Sequence, residues 1–184
     1  MMERRDLIRW LAATAGVHAV QAFAPAELLA VGRAVHRRAA SGAEFTPFGH
    51  VQRTVVIAAE RILPGATEAN VGIFIDKMLA DWHTPEERAR LLAGLDDLDA
   101  RCRASAGRDF VNCAEAEQVA VLTSLDNEVT ALRAGPGNER AGGNQHWFAM
   151  LKFLTVYGWC TSETGMRALG LYPLASHYDG CAPV

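Results

Sequence analysis

Residues 146–162 read HWFAMLKFLTVYGWCTS, and this stretch decides the fold. Its aromatic and aliphatic residues fall on every side of a helix, and Lys152 is the only charged residue between His146 and Tyr157. A helix that is apolar all round is either central to a fold or pressed against a partner. The sequence therefore predicts a helix over residues 146–160 that another part of the protein, or another chain, must cover.

The segments on either side of this stretch also carry helix signals. Thr84, Pro85 and Glu87 form a capping-box start, and a stripe of Leu91, Leu95, Leu98 and Cys102 follows before Gly107 ends the helix. Other helices are predicted over about residues 25–40, 46–63, 70–83 and 114–133, with a short capped turn from residue 162. The sequence thus predicts an all-α protein, a single compact bundle of five to seven helices with an N-terminal extension.

Composition excludes several classes of protein. Half of the 184 residues are hydrophobic and 21% are charged, which is typical of a globular domain and not of a disordered chain. The net charge of −3 provides no basic excess for a general nucleic-acid binder. Four cysteines are too few for a disulfide-scaffold miniprotein.

Residues 1–24 have the layout of a twin-arginine export signal. The Arg4-Arg5 pair precedes Leu7 and a moderately apolar stretch that ends in Ala22-Phe23-Ala24. Pro25 follows directly and would hinder cleavage there, so the signal could be retained. The alternative is an amphipathic first helix with its arginines on a solvated face. We expect residues 25–44 to form a helical linker, residues 45–184 to form the domain, and the protein to be periplasmic, with membrane association through a partner or a retained signal as an option.

No catalytic, cofactor or metal motif was found in the sequence. It contains no glycine-rich dinucleotide fingerprint, P-loop, nucleophile elbow, H-E-x-x-H or C-x-x-C-H, and its six histidines never lie three or four residues apart. The carboxylates Asp96, Asp97 and Asp99 are expected on the solvated face of a helix. We therefore expect no catalytic, cofactor-binding or metal-binding residue in this chain.

The cysteines allow one specific expectation. Cys102 and Cys113 lie near facing ends of two successive helices, and an antiparallel hairpin would bring their Cα atoms within the roughly 5.5 Å that a disulfide needs. Cys160 and Cys181 could pair with each other, pair with another chain or remain buried thiols. The sequence does not distinguish these alternatives.

The C-terminal third carries a recognisable motif, Lys152-x-x-Thr-Val-x-Gly158-x-x-Thr161-Ser162-Glu163-x-Gly, followed by Leu171-Tyr172 and Tyr178-Asp-Gly-Cys181. With the earlier segment Ala59-Glu-Arg-Ile-Leu-Pro64, it resembles the gluconate 2-dehydrogenase subunit 3 family over about residues 45–181. Members of that family are small subunits of periplasmic flavoprotein sugar and sugar-acid dehydrogenases. Cys160 stands where an aromatic residue is usual.

The resemblance implies a non-catalytic partner of a large FAD-dependent oxidoreductase of the glucose–methanol–choline type. The FAD would lie in the partner, electrons would pass onward to a c-type cytochrome, and this chain would escort the folded partner through the twin-arginine translocase. The residues expected at the contact surface are Trp147, Met150, Leu151, Lys152, Leu154, Thr155, Gly158, Thr161, Ser162 and Glu163.

Three alternatives stay open at this point. Thr161 or Ser162 could merely cap the last helix, with Gly158 allowing close helix packing. The chain could instead be a self-sufficient periplasmic enzyme or ligand carrier with an apolar pocket near Trp147 and Trp159. It could also be a cytoplasmic helical adaptor whose arginine pair is accidental.

Overall fold

The computed structural model describes residues 25–40, 49–136, 143 and 145–170. In these ranges the chain forms seven α-helices, one 3-10 turn and no strand, which confirms the all-α bundle. The elements are α1 Pro25–Ala40, α2 Gly49–Ile62, α3 Val71–Asp81, α4 Pro85–Ala106, the 3-10 turn Phe110–Asn112, α5 Glu115–Ala134, α6 Trp147–Thr161 and α7 Glu163–Ala168. The predicted export signal with Arg4 and Arg5, and also Cys181, lie outside the described residues.

Helix α6, the stretch apolar on every side, is the centre of the bundle. It packs against all six other helices. Leu151 and Leu154 are fully buried, and even Thr155 has no exposed surface. The helix is thus covered mainly by its own chain. Of the two alternatives that the sequence left open, a central position in the fold accounts for its apolar surface.

Helix α1 docks onto this centre and is more than a linker. The hydroxyl of Tyr157 on α6 donates to the Leu28 carbonyl oxygen at 2.6 Å. His36 Nε2 donates to the Gly158 carbonyl oxygen at 2.8 Å, and its ring stacks on Phe74 of α3 at a centroid distance of 4.8 Å. Gly32 allows the close approach, since a Cβ there would lie 2.5 Å from a Thr161 methyl. Residues 25–40 therefore form part of the packed body.

The start of α4 has the predicted cap. Thr84 Oγ1 accepts from the Glu87 N–H at 3.2 Å, and the Glu87 carboxylate accepts from the Thr84 N–H at 3.0 Å. Arg88 in the first turn of α4 donates from its Nη2 to the Leu79 carbonyl oxygen at 2.7 Å. That guanidinium binds one of the last carbonyls of α3, so the two helices are joined at their ends.

Asp99 corrects the prediction of a solvated carboxylate cluster, because it is only 4% exposed. Its Oδ1 accepts from the Phe110 N–H at 2.8 Å, and its Oδ2 lies 2.5 Å from His50 Nε2. Gln118 on α5 donates to the Phe110 carbonyl oxygen at 3.0 Å. Asp99 thus fastens the 3-10 turn to α4 and α2, while its neighbour Asp96 is exposed as expected.

Replacing Asp99 by alanine should lower the free energy of unfolding by about 2–4 kcal/mol, because the buried Phe110 N–H loses its acceptor and His50 loses its partner. Urea titration of the variant measures this loss. Asp96→Ala is the matched control and should change the free energy by less than about 0.5 kcal/mol. Equal effects of the two substitutions would contradict a structural role for Asp99.

Candidate functional site

The motif residues lie on α6 and at its junction with α7. Lys152, the only charge on α6, has a side chain that is 15% exposed, and its Nζ lies 2.5 Å from Asp126 Oδ1 on α5. The ammonium is therefore paired within the chain. The ion pair with Asp126 compensates the cost of holding the Lys152 ammonium between two packed helices, α5 and α6.

The two motif threonines satisfy their hydroxyls locally. Thr155 Oγ1 donates to the Leu151 carbonyl oxygen and Thr161 Oγ1 to the Tyr157 carbonyl oxygen, each at 2.8 Å. Both residues are buried, so these bonds within the helix remove the cost of an unpaired hydroxyl in the core. Neither hydroxyl is directed at solvent or at a cavity where a substrate could bind.

The junction of α6 and α7 is built around Ser162. Its Oγ donates to the Trp159 carbonyl oxygen at 2.7 Å and accepts from the Gly165 N–H at 3.0 Å. Ser162 therefore caps the end of α6 and begins α7. Gly165 fits because a Cβ there would lie 1.9 Å from the Trp159 carbonyl oxygen. The capping alternative that the sequence left open describes Ser162 in this structure.

Burial separates the expected contact residues into two groups. Those buried within this chain are Trp147, Leu151, Leu154, Thr155, Gly158, Thr161 and Ser162. Met150 and Lys152 are half-buried, and Glu163 is exposed and paired with Arg167 at 2.5 Å. Contact with a partner stays a prediction, and only this second group retains side-chain surface to make it.

Sequence reasoning placed Leu28 and Val35 on the apolar side of α1 but missed Gly32 and His36, which complete the face that holds α6. Leu28, Gly32, Val35 and His36 follow the i, i+4, i+7, i+8 spacing of one helical face, and this spacing was the available signal. It also missed Asp126, whose pairing with Lys152, 26 residues further along the chain, depends on two helices meeting in space. No spacing rule within one helix reports such a partner.

Burial shifts the pKa of three groups on or beside α6 in the direction that favours their neutral forms. Burial lowers the pKa of His36, although its bond to the Gly158 carbonyl works in the other direction. Burial also raises the pKa of Tyr157 to about 12 and that of Cys160 to about 12. A thiol with that pKa is scarcely ionised at neutral pH and makes a poor nucleophile.

An apolar cavity of about 240 Å³ opens between α2, α3 and α4. Its walls include Val55, Ile75 and Leu91, and neither Trp147 nor Trp159 lines it. Trp147 instead fills the space beside Gly94, where a Cβ would lie 2.1 Å from the indole ring. The pocket that a ligand carrier would need near the two tryptophans is therefore not this cavity.

Neither a metal-binding cluster nor a membrane-spanning helix occurs among the described residues. No group of three or more histidine, cysteine or acidic residues is arranged to hold a metal ion in these ranges. None of the helices described is both long enough and apolar enough to cross a membrane.

Comparison with known families places the chain. The model of the family described as gluconate 2-dehydrogenase subunit 3 matches residues 50–176. The chain belongs to the gluconate 2-dehydrogenase subunit 3 family. The matched range runs from the start of α2 past the end of α7, so it includes the motif from Lys152 to Gly165, while Tyr178 to Cys181 lie beyond it. This subunit 3 family member is thus an accessory subunit of a dehydrogenase complex. No curated protein and no solved structure gives a significant match.

The Gly158→Ala substitution should destabilise this subunit by about 1–3 kcal/mol, although alanine is the better helix former. The physical reason is that the new Cβ would lie 2.7 Å from Phe74 Cδ1. Phe74→Leu removes the ring, so combining both changes should cost less than the sum of the single variants. Urea titration of the four proteins measures the coupling, and strict additivity would contradict the contact.

The lowered pKa of His36 gives a pH dependence with a defined sign. Below about pH 6.5 the unfolded chain binds a proton at this position more readily than the folded chain does. His36 stabilisation should therefore be complete above that pH and be lost as the pH falls towards the folded pKa. His146 contributes in the same direction, because burial also lowers its pKa.

Thermal unfolding between pH 7.5 and 5 checks this expectation against His36→Gln, which keeps an N–H donor and does not titrate. The fall in Tm with acidification should be smaller in the variant than in the wild-type chain. An unchanged pH profile would exclude His36 as a source of the dependence.

Proposed function

We propose that this subunit 3 family member is the non-catalytic small subunit of a periplasmic dehydrogenase and the export escort of its catalytic chain. The catalytic chain would be an FAD-dependent oxidoreductase of the glucose–methanol–choline type acting on a sugar, glycoside or gluconate. Electrons would pass from its FAD to an acceptor such as a c-type cytochrome. The observation that carries the proposal is the family match over residues 50–176.

The chemistry of the motif segment supports a structural role. The polar groups of its motif residues are occupied in bonds within the chain, as Lys152 with Asp126 and Ser162 with the α7 backbone illustrate. These bonds hold the helices together and so stabilise a surface to which another protein can bind. The segment offers few groups that could take part in a reaction.

The docking of α1 supports the escort role. Helix α1 begins at Pro25, directly after the predicted signal, and two hydrogen bonds from Tyr157 and His36 tie it to α6. A translocase that binds the signal is thereby connected to the packed body rather than to a loose linker. The twin-arginine translocase exports folded cargo, so a complex assembled on this body could travel with it.

The accessible side of α6 and α7 is where we expect the large subunit to bind. Met150, Phe153 and Cys160 are half-buried on one face of α6, and Glu163 is exposed at the start of α7. An apolar and aromatic patch bordered by charge is typical of the centre and rim of a protein interface.

Replacing Arg4 and Arg5 by lysine should leave both this subunit and its flavoprotein in the cytoplasm, because the signal needs the arginine pair. Fractionation of the native host, with immunoblots of both chains and dehydrogenase activity in the periplasm, measures the effect. Arg37→Lys with Arg38→Lys is the matched control, since these exposed residues on α1 form another arginine pair. Unchanged location of both chains would favour the cytoplasmic adaptor.

Glu163→Arg should weaken co-purification of the flavoprotein about tenfold, equivalent to about 1.4 kcal/mol, while the Tm of the free subunit stays nearly unchanged. The charge is exposed and its Arg167 partner is equally solvated, so folding depends little on it. Asp96→Arg reverses an exposed charge on α4 and should leave the complex intact. If the wild-type subunit, Glu163→Arg and Asp96→Arg all bind the flavoprotein equally, the interface lies elsewhere.

A separate assay distinguishes the escort from a self-sufficient enzyme. The purified chain alone, given gluconate, glucose or fructose with an artificial electron acceptor, should show no turnover. Activity that survives rigorous removal of the flavoprotein would overturn the non-catalytic assignment.

A further inference from the structure

Cys102 and Cys113 both lie in the core beside the 3-10 turn. Cys102 lies in the last turns of α4 and is fully buried, and Cys113 directly follows the 3-10 turn and is 8% exposed. Both belong to the same buried cluster, and the Cys113 thiol is among the neighbours that raise the pKa of Cys102. The Cys113 thiol also donates to the Arg108 carbonyl oxygen at an S···O distance of 3.7 Å. Both are free thiols in this structure.

The backbone around the pair is held from several directions. Asp99, one helical turn before Cys102, accepts from the Phe110 N–H at 2.8 Å. The Cys113 N–H donates to the Phe110 carbonyl oxygen at 3.1 Å, and Gln118 donates to that same oxygen at 3.0 Å. These bonds hold the last turns of α4 against the 3-10 turn, so Cys102 and Cys113 lie on two backbone segments that are fixed next to each other. This is the condition that a disulfide requires, because its geometry tolerates little backbone movement.

We propose that Cys102 and Cys113 are a modification site, at which a disulfide oxidant converts the two thiols into an intrachain disulfide that clamps the 3-10 turn to α4. With glutathione disulfide as the oxidant, one cysteine thiolate attacks its S–S bond and releases a glutathione thiolate. The second cysteine then attacks the mixed disulfide and releases the second glutathione. The two cysteine sulfurs lose two electrons, and the two thiol protons end on the two glutathione molecules.

The same surroundings determine when the reaction occurs. Burial, together with the neighbouring Cys113 thiol, raises the pKa of Cys102 to about 12, so its thiolate is scarce in the folded chain at neutral pH. Oxidation of the folded protein should be slow, whereas a chain that folds in the presence of the oxidant should close the bridge readily. The inference does not depend on the partner or the export route proposed above.

Cys160 provides an internal comparison. It is half-buried on α6, and its pKa is raised by burial without a neighbouring thiol among the causes. Within the ranges that the structure describes, no other cysteine is positioned to pair with it. A reagent that oxidises exposed or isolated thiols indiscriminately would modify Cys160 too, so its state reports whether the reaction is selective.

Peptide mapping tests the bridge. The full chain is unfolded and refolded in a mixture of glutathione disulfide and glutathione, alkylated and digested with trypsin. Cleavage after Arg101, Arg103 and Arg108 should release the dipeptide of residues 102–103 linked to residues 109–133. The linked pair should be lighter than the two separate thiol peptides by two hydrogen atoms. Absence of this pair, or a linkage through Cys160 or Cys181, would overturn the proposal.

Thermal unfolding gives an independent readout of the same bridge. Oxidised wild-type chain should unfold at a Tm roughly 6–12 °C above that of the reduced chain, since the bridge closes a short loop in the unfolded state. In Cys102→Ala and Cys113→Ala this difference between oxidised and reduced samples should vanish, whatever each substitution costs in packing. Cys160→Ala should retain it. A redox-dependent shift that survives in either of the first two variants would also overturn the proposal.

Discussion

The fold depends on covering a helix that has no polar face. Because α6 is apolar on all sides, no single neighbour can bury it, and the chain surrounds it with six other helices. Each fully buried large side chain, such as Leu151 or Leu154, contributes on the order of 1.5–3 kcal/mol through removal from water. The surrounding helices can therefore be individually weak, since their packing on α6 stabilises them.

Close packing around one helix restricts both the size of the residues and their polarity. Gly32, Gly94 and Gly158 stand where a side chain would collide with Thr161, Trp147 or Phe74. The hydroxyls of the α6 threonines, which this packing buries, are bonded within the chain, whereas the buried Trp159 Nε1 has no hydrogen-bond partner among the described residues. The motif that marks the family is thus also the set of residues that makes the central helix fit.

This overlap between motif and core changes how the family's function is understood for this chain. A motif that serves packing needs no substrate to explain it, and the surface left for a partner is the half-buried side of α6 with the start of α7. The proposed export role also bears on the packing of α1. Helix α1 follows the predicted export segment and is fastened to α6, so that segment joins the chain at a helix that packs on the central one.

Sequence by itself determined the helical class, the capped start of α4 at Thr84 and the unusual character of residues 146–160. These depend on local spacing and local hydrogen bonds, which neighbouring residues specify. It also singled out Cys102 and Cys113 as a candidate disulfide pair, and that pairing stays a proposal. Only the tertiary structure decided that α6 lies at the centre, that Asp99 is buried and that Lys152 pairs with Asp126. The physical reason is that burial and pairing depend on which helices meet in space, and periodicity within one helix does not encode its neighbours.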